Sequence, residues 1–177
     1  MLPILTKHWD ALEARRRAFL GELATTSPAS LAFRPAPDAW NLEDVAQHLW
    51  LIEKGAVHVL RDRFDKPPIA RDPLSPLKVV AMRLLVQRDV RIKAPVKEIV
   101  PTERMAVDTV RAEWDRTRET LHGLLEQVTP DRLEKRIFRH PIFGPMTIAQ
   151  STEFVWRHHD HHLHQIRRIR EAEGYPG

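Results

Sequence analysis

Residues 154–168 read FVWRHHDHHLHQIRR, with histidine at positions 158, 159, 161, 162 and 164. Imidazole is the side chain best suited to bind a divalent metal or move a proton near neutral pH. The chain has no cysteine. Any metal must therefore take His, Asp or Glu ligands, and any thiol chemistry must use a thiol supplied from outside. His158 and His162 lie four residues apart, so on a helix their rings are stacked neighbours on one face. That spacing lets one helix offer two imidazoles to one ion. In a stretch so rich in histidine, some pair at that spacing is nearly guaranteed, so ring direction is what matters.

An ideal helix turns about 100° per residue. Applied from Thr147 onward, that rotation puts Ile148, Val155, Leu163, Ile166 and Ile169 on one broad face. Glu153, Arg157, Asp160, Arg167, Arg168 and Glu171 fall opposite, which gives the helix an inside and an outside. His162 lies inside, His158 is at the margin of the apolar face, and His159 also points inward. His161 and His164 fall among the charged residues and are expected to face water.

A divalent site needs at least a third ligand, which a facing helix can supply. In WNLEDVAQHLWLIEKGA, His48 lies beside the apolar stripe, on the side of Ile52, Gly55 and Val59. His58 falls on the polar side. His122 follows the inward Leu121, His140 sits in a loop and His8 is near the N-terminus. A single inward histidine is ordinarily a hydrogen-bonded core residue, and a pair without a partner can be a packed polar patch. Two inward sets on separate helices favour a metal. Asp44 is placed on the polar side and is not expected to contribute. Glu53 lies closer to the apolar face, as a margin salt bridge or a support for the site. Trp40, Trp50 and Trp156 are expected to pack the core or rim. Arg34 is a loop arginine with no required ligand.

The elements that must position these residues are four long helical patterns separated by proline-bearing loops. The first runs from about Pro3 to Ala24, with Leu5, Leu12, Phe19 and Leu23 in helical spacing. The second starts after Asn41, a good N-cap with Asp44 three residues on, and ends near Phe64. Residues 65–101 form a long connection with six prolines, inside which LKVVAMRLLVQRDV can make a short helix. The third helix runs from about Arg104 to Gln127. TPDRLEKRIFRHPIFGPM then reads as irregular or briefly extended. The fourth opens on a capping box, Thr147 with Gln150, and runs to about Glu173. One-faced helices must bury those faces together. The expected fold is all-α: a four-helix bundle with a long crossover connection between helices 2 and 3, in a single domain over residues 1–177.

The 177 residues are enough to close a core, and 42% hydrophobic with 29% charged residues is ordinary for a globular protein. No apolar run approaches the roughly 20 residues of a membrane span. MLPILTKHWD reaches charge too early for a signal peptide, so a cytoplasmic location is expected. The net charge of +4 and pI of about 9.8 invite a nucleic-acid reading, but acidic and basic residues interleave as on solvated helix faces. No nucleic-acid or membrane partner is expected.

FRPAPDAWNLEDVAQHL, HPIFGPMT and HHDHHLHQI, in this order and spacing, resemble the DinB-like superfamily of four-helix bundles. That group includes bacillithiol transferase-like proteins and mycothiol-dependent maleylpyruvate isomerase. The resemblance implies a three-histidine metal site. One ligand comes from the tryptophan-to-His-Leu context of the second helix, which falls on His48. Two come from an H-x-x-x-H-x-x-Q-I pattern, which Gln165 and Ile166 register on His158 and His162. His159 is the substitute if that register is wrong. The resemblance also implies a homodimer.

Three neutral imidazoles leave a divalent ion, zinc or nickel, with open positions, the pattern of a catalytic rather than a closed site. Such an ion can lower the pKa of water or hold a thiol as thiolate. The function this favours is a small-thiol-dependent S-transferase or a hydrolase-like metalloenzyme with a small-molecule thiol co-substrate. The alternative is a non-catalytic stress or interaction bundle whose metal is structural or vestigial.

Overall fold

The computed structural model describes residues 1–86 and 96–177. Helix α1 spans Pro3–Thr25 and starts with proline in its first turn, where a missing N–H costs nothing. A short α2, Pro28–Ala32, follows. Helix α3 spans Leu42–Arg63. Its N-terminus is closed by a capping box in which the Asn41 side chain accepts from the Asp44 N–H and the Asp44 carboxylate accepts from the Asn41 N–H. Helix α4 is Ser75–Val86 and a 3-10 turn covers Lys97–Ile99. The expected extension of α4 into residues 87–90 lies outside the described residues. Helix α5 spans Val107–Glu126, and α6 is the single turn Pro130–Leu133. Strands β1, Arg136–His140, and β2, Gly144–Thr147, form an antiparallel hairpin where irregular or extended chain is expected. Gly144 takes φ 74 at its turn, a conformation open to glycine without strain. Helix α7 spans Ile148–Arg170 behind the Thr147–Gln150 capping box.

The chain is mostly helical, as its periodicities imply. The third predicted helix begins three residues later than expected, at Val107. The last stops at Arg170 rather than near Glu173.

One apolar cluster joins Phe19 and Leu23 of α1, Val45 and Leu49 of α3, Val110 and Trp114 of α5, and Ile166 and Ile169 of α7. A second joins Leu5, Leu60, Leu121, Leu125 and Ile148. The early halves of α3 and α5 thus meet the late halves of α1 and α7. Helices α3 and α5 run one way, and α1 and α7 run the other. Successive helices that run the same way cannot be joined by a tight turn, so the α3–α5 connection must be long. It is put to use: α4 packs on α7, and the 3-10 turn packs on α3. A third cluster, with Val79 and Met82 of α4 against Phe143, Met146, Phe154 and Val155, seals this side. Among the described residues no helix is long and apolar enough to cross a membrane.

Candidate metal centre

His48 enters from the second turn of α3, where every residue from Asn41 to Trp50 is buried. His158 and His162 enter from successive turns of α7. The three rings converge. His48 Nε2 and His162 Nε2 each lie 3.0 Å from His158 Nε2. One ligand nitrogen from each ring lies within 4.8 Å of the other two. His48 is 2% and His162 is 6% exposed, while His158 is partly exposed.

The far nitrogens are committed. His48 Nδ1 donates to the Ile99 carbonyl at 2.6 Å. His162 Nδ1 donates to Gln165 Oε1 at 2.7 Å. A neutral imidazole carries one N–H, so both Nε2 atoms present lone pairs to the centre. His158 Nε2 faces both of them and can carry at most one proton, which cannot point well at two acceptors. Lone pair therefore faces lone pair in at least one contact. A cation at the common focus of the three nitrogens removes that conflict, and three neutral imidazoles, two of them with carbonyl-bonded Nδ1–H groups, suit one. The residues present fit a divalent ion.

Electrostatics agree with a neutral set. Burial pulls His48 from 6.5 to about 4, against a raising contribution from its bond to Ile99, with His159 and His161 lowering it further. Burial also holds His158 well below 6.5, helped by His162 and His48. His162 follows for the same reasons, with Gln165 opposing. Trp40 walls the site: its ring centre is 4.8 Å from that of His48 and it stacks on His162 at 6.3 Å. Phe154 lies against His158, with ring centres 5.3 Å apart.

The other histidines are elsewhere. His159 points inward, as its wheel position implies, but away from the trio: its Nε2 donates to Glu53 Oε1 at 3.1 Å. His161 and His164 are half-buried rather than fully in water, and the His161 ring packs 5.4 Å from that of His162. His58 is exposed. His122 packs on Trp9. His140 ends β1, where its Nδ1 accepts the N–H groups of Ile142 and Phe143. His8 bonds Thr152.

Several expectations are corrected by packing. Glu53 is not at a margin but 0% exposed. Its carboxylate meets Arg118 Nε at 2.6 Å and accepts from Arg118 Nη2 at 3.0 Å. Burial alone would raise its pKa, yet Arg118 and His159 hold it below the ordinary value. Asp44 is buried too, because it caps α3 and pairs with Arg34 at 2.7 Å, which also occupies that arginine. Glu153, expected in water, is buried between Arg83 of α4 and Arg157. Leu163, expected inside, is 47% exposed, since it sits about 140° around the helix from His158. Trp50 is core and donates to Thr117. Trp156 lies at the rim under Arg15 and Arg157. Sequence reasoning missed Arg118, whose charge sits in an apolar stripe position, and the Ile99 carbonyl, which has no signature in a sequence.

No solved structure matches the chain. It is 28% identical to the uncharacterized protein YuaE of Bacillus subtilis (strain 168) over 159 residues, which cover 90% of this chain and 94% of that one. The model of the DinB superfamily matches residues 11–166, a span that includes His48, His158 and His162. The chain belongs to the DinB superfamily.

Proposed function

We propose that His48, His158 and His162 are the ligands of one divalent metal ion, zinc or nickel, and that the protein is a small-thiol-dependent S-transferase or hydrolase-like enzyme. The observation that carries this is the convergence of three Nε2 atoms, with the His48 and His162 rings oriented from behind by carbonyl oxygens. When bound, the ion supplies Lewis acidity, which makes a water or thiol acidic enough to react near neutral pH. The chain's own part is to hold three neutral rings, exclude water with Trp40 and Phe154, and leave one side for substrate. The absence of cysteine suits a thiol that arrives as co-substrate. The four long helices, α1, α3, α5 and α7, make the family's bundle in one domain, with α4 in the crossover. We place the protein in the cytoplasm as a homodimer with no nucleic-acid partner.

Elemental analysis of the purified protein is the first test. About one divalent ion per chain is expected, and His48→Ala and His162→Ala should lose it. Protein that carries no such ion and takes up none on soaking removes the metal assignment. Turnover of electrophiles with glutathione-like thiols then tests the transferase. A loaded protein inert toward all of them, and toward hydrolysable esters and amides, points to a metal with a structural role.

A further inference from the structure

Glu53, Arg118 and His159 form a buried polar group that the proposed chemistry does not use. All three are at most 3% exposed. The group extends from Arg118 to Glu13 of α1 at 3.4 Å, and from Glu13 to Arg16 at 3.0 Å. Arg16 reaches back to Asp115 of α5. One charged layer therefore touches α1, α3, α5 and α7. Taking such charges out of water is expensive, and well-packed apolar residues of the same volume commonly serve stability as well or better. Stability alone does not explain the layer. The best-attested use of such groups is to fix the register of one helix against another.

The placement shows which register. Helix α3 carries both His48 and Glu53, and α7 carries both His158 and His159. The two helices meet through two adjacent polar contacts: His48 with His158 at 3.0 Å, and Glu53 with His159 at 3.1 Å. The first is the centre itself, where one N–H on His158 can serve only one of the two facing lone pairs. The second is a bond from an imidazole N–H to a carboxylate that Arg118 holds in place from α5. A slide or roll of α7 that pulled His158 from His48 would break the second contact. On the other flank of α7, Arg83 grips Glu153 through both carboxylate oxygens.

We infer that Glu53 is a positioning residue for the metal centre. Through His159 it sets the height and rotation of α7 against α3 before any ion arrives, so that the three ligand nitrogens already face one point. This rests on the metal assignment proposed above and adds a role for residues that assignment leaves out.

The test is Co2+ binding, read by affinity and by the visible spectrum of the bound ion, which reports its coordination. Glu53→Gln keeps an acceptor for His159 and should bind within about threefold of wild type with an unchanged spectrum. A triple variant, Glu53→Leu with Arg118→Met and His159→Phe, leaves no charge of the group unpaired, since Glu13 keeps Arg16 and Arg17, and should hold its fold. It should bind Co2+ at least tenfold more weakly, with an altered spectrum, at a melting temperature near wild type. If the triple variant folds and binds as wild type does, the positioning role is wrong while the metal assignment stands. If it does not fold, His159→Phe alone decides: it removes the bond to Glu53 while Arg118 still pairs with that carboxylate, it should weaken Co2+ binding at least tenfold, and wild-type affinity overturns the inference. Wild-type protein that binds no Co2+ overturns both the inference and the metal assignment.

Discussion

Acidification of the metal-free protein tests the histidine centre through folding. Burial lowers the pKa of His48 from 6.5 to about 4. Once unfolded, the same ring takes up its proton near the ordinary value. Above pH 6.5 the ring is neutral in both states and its contribution to stability is complete. Between 6.5 and 4 the unfolded chain binds a proton that the folded chain refuses, so stability falls as the pH falls. The slope approaches about 1.4 kcal/mol per pH unit for each such histidine, and the full fall for His48 is about 3 kcal/mol. His158 and His162 are shifted in the same direction by the same burial, as are His8 and His140 outside the centre, so His48→Gln is what isolates the centre's share. Against the roughly 5–15 kcal/mol that holds a domain together, the centre's three rings can exhaust the margin. The carboxylates of Glu53 and Glu153 are held below their ordinary value, so their losses come later, below about pH 4.5. Urea unfolding followed by circular dichroism, with chelator present, at half-unit steps from pH 7.5 to 4.5, reads the effect. The midpoint should be level above 6.5 and drop steeply below it. His48→Gln should remove about one proton from the slope. A midpoint that stays constant from pH 7 to pH 5 refutes the argument, because it means that the rings are not buried and neutral in the folded chain.

Gln165→Leu removes the acceptor for His162 Nδ1 and should weaken Zn2+ binding by about 10- to 100-fold in a competition titration, with little change in melting temperature of the metal-free protein. Affinity equal to wild type would mean that Gln165 does not orient the ring. Thr147→Ala opens the capping box of α7, and urea unfolding should register a loss of about 1 kcal/mol. A loss indistinguishable from zero would show that the hairpin, not the cap, starts the helix.

Much of the site is written in periodicity. The stripes put His48 beside the apolar face of α3, His162 and His159 inside on α7 and His158 at its margin, and it is the resemblance, through Gln165 and Ile166, that singles out His158 and His162. The capping boxes at Asn41 and Thr147 locate both helix starts because their chemistry is local. What is not legible depends on neighbours that the period of one helix cannot name. Glu153 belongs to the polar side of α7, yet α4 brings Arg83 over it and buries it. Glu53 looks like a margin residue until Arg118 of α5 is seen to neutralise it. His159 has the inward direction of a ligand, and only the position of Glu53 tells it apart from one.

The two carbonyl oxygens that orient the rings of His48 and His162 differ in what mutation can do to them. Gln165 can be lost by a single codon change. The oxygen at Ile99 belongs to the main chain, and all twenty amino acids carry it, proline included. The hold on His48 is thus buffered against drift at position 99. To loosen His48, evolution or an engineer has to move the backbone, by an insertion or deletion around residues 97–99 rather than by a substitution.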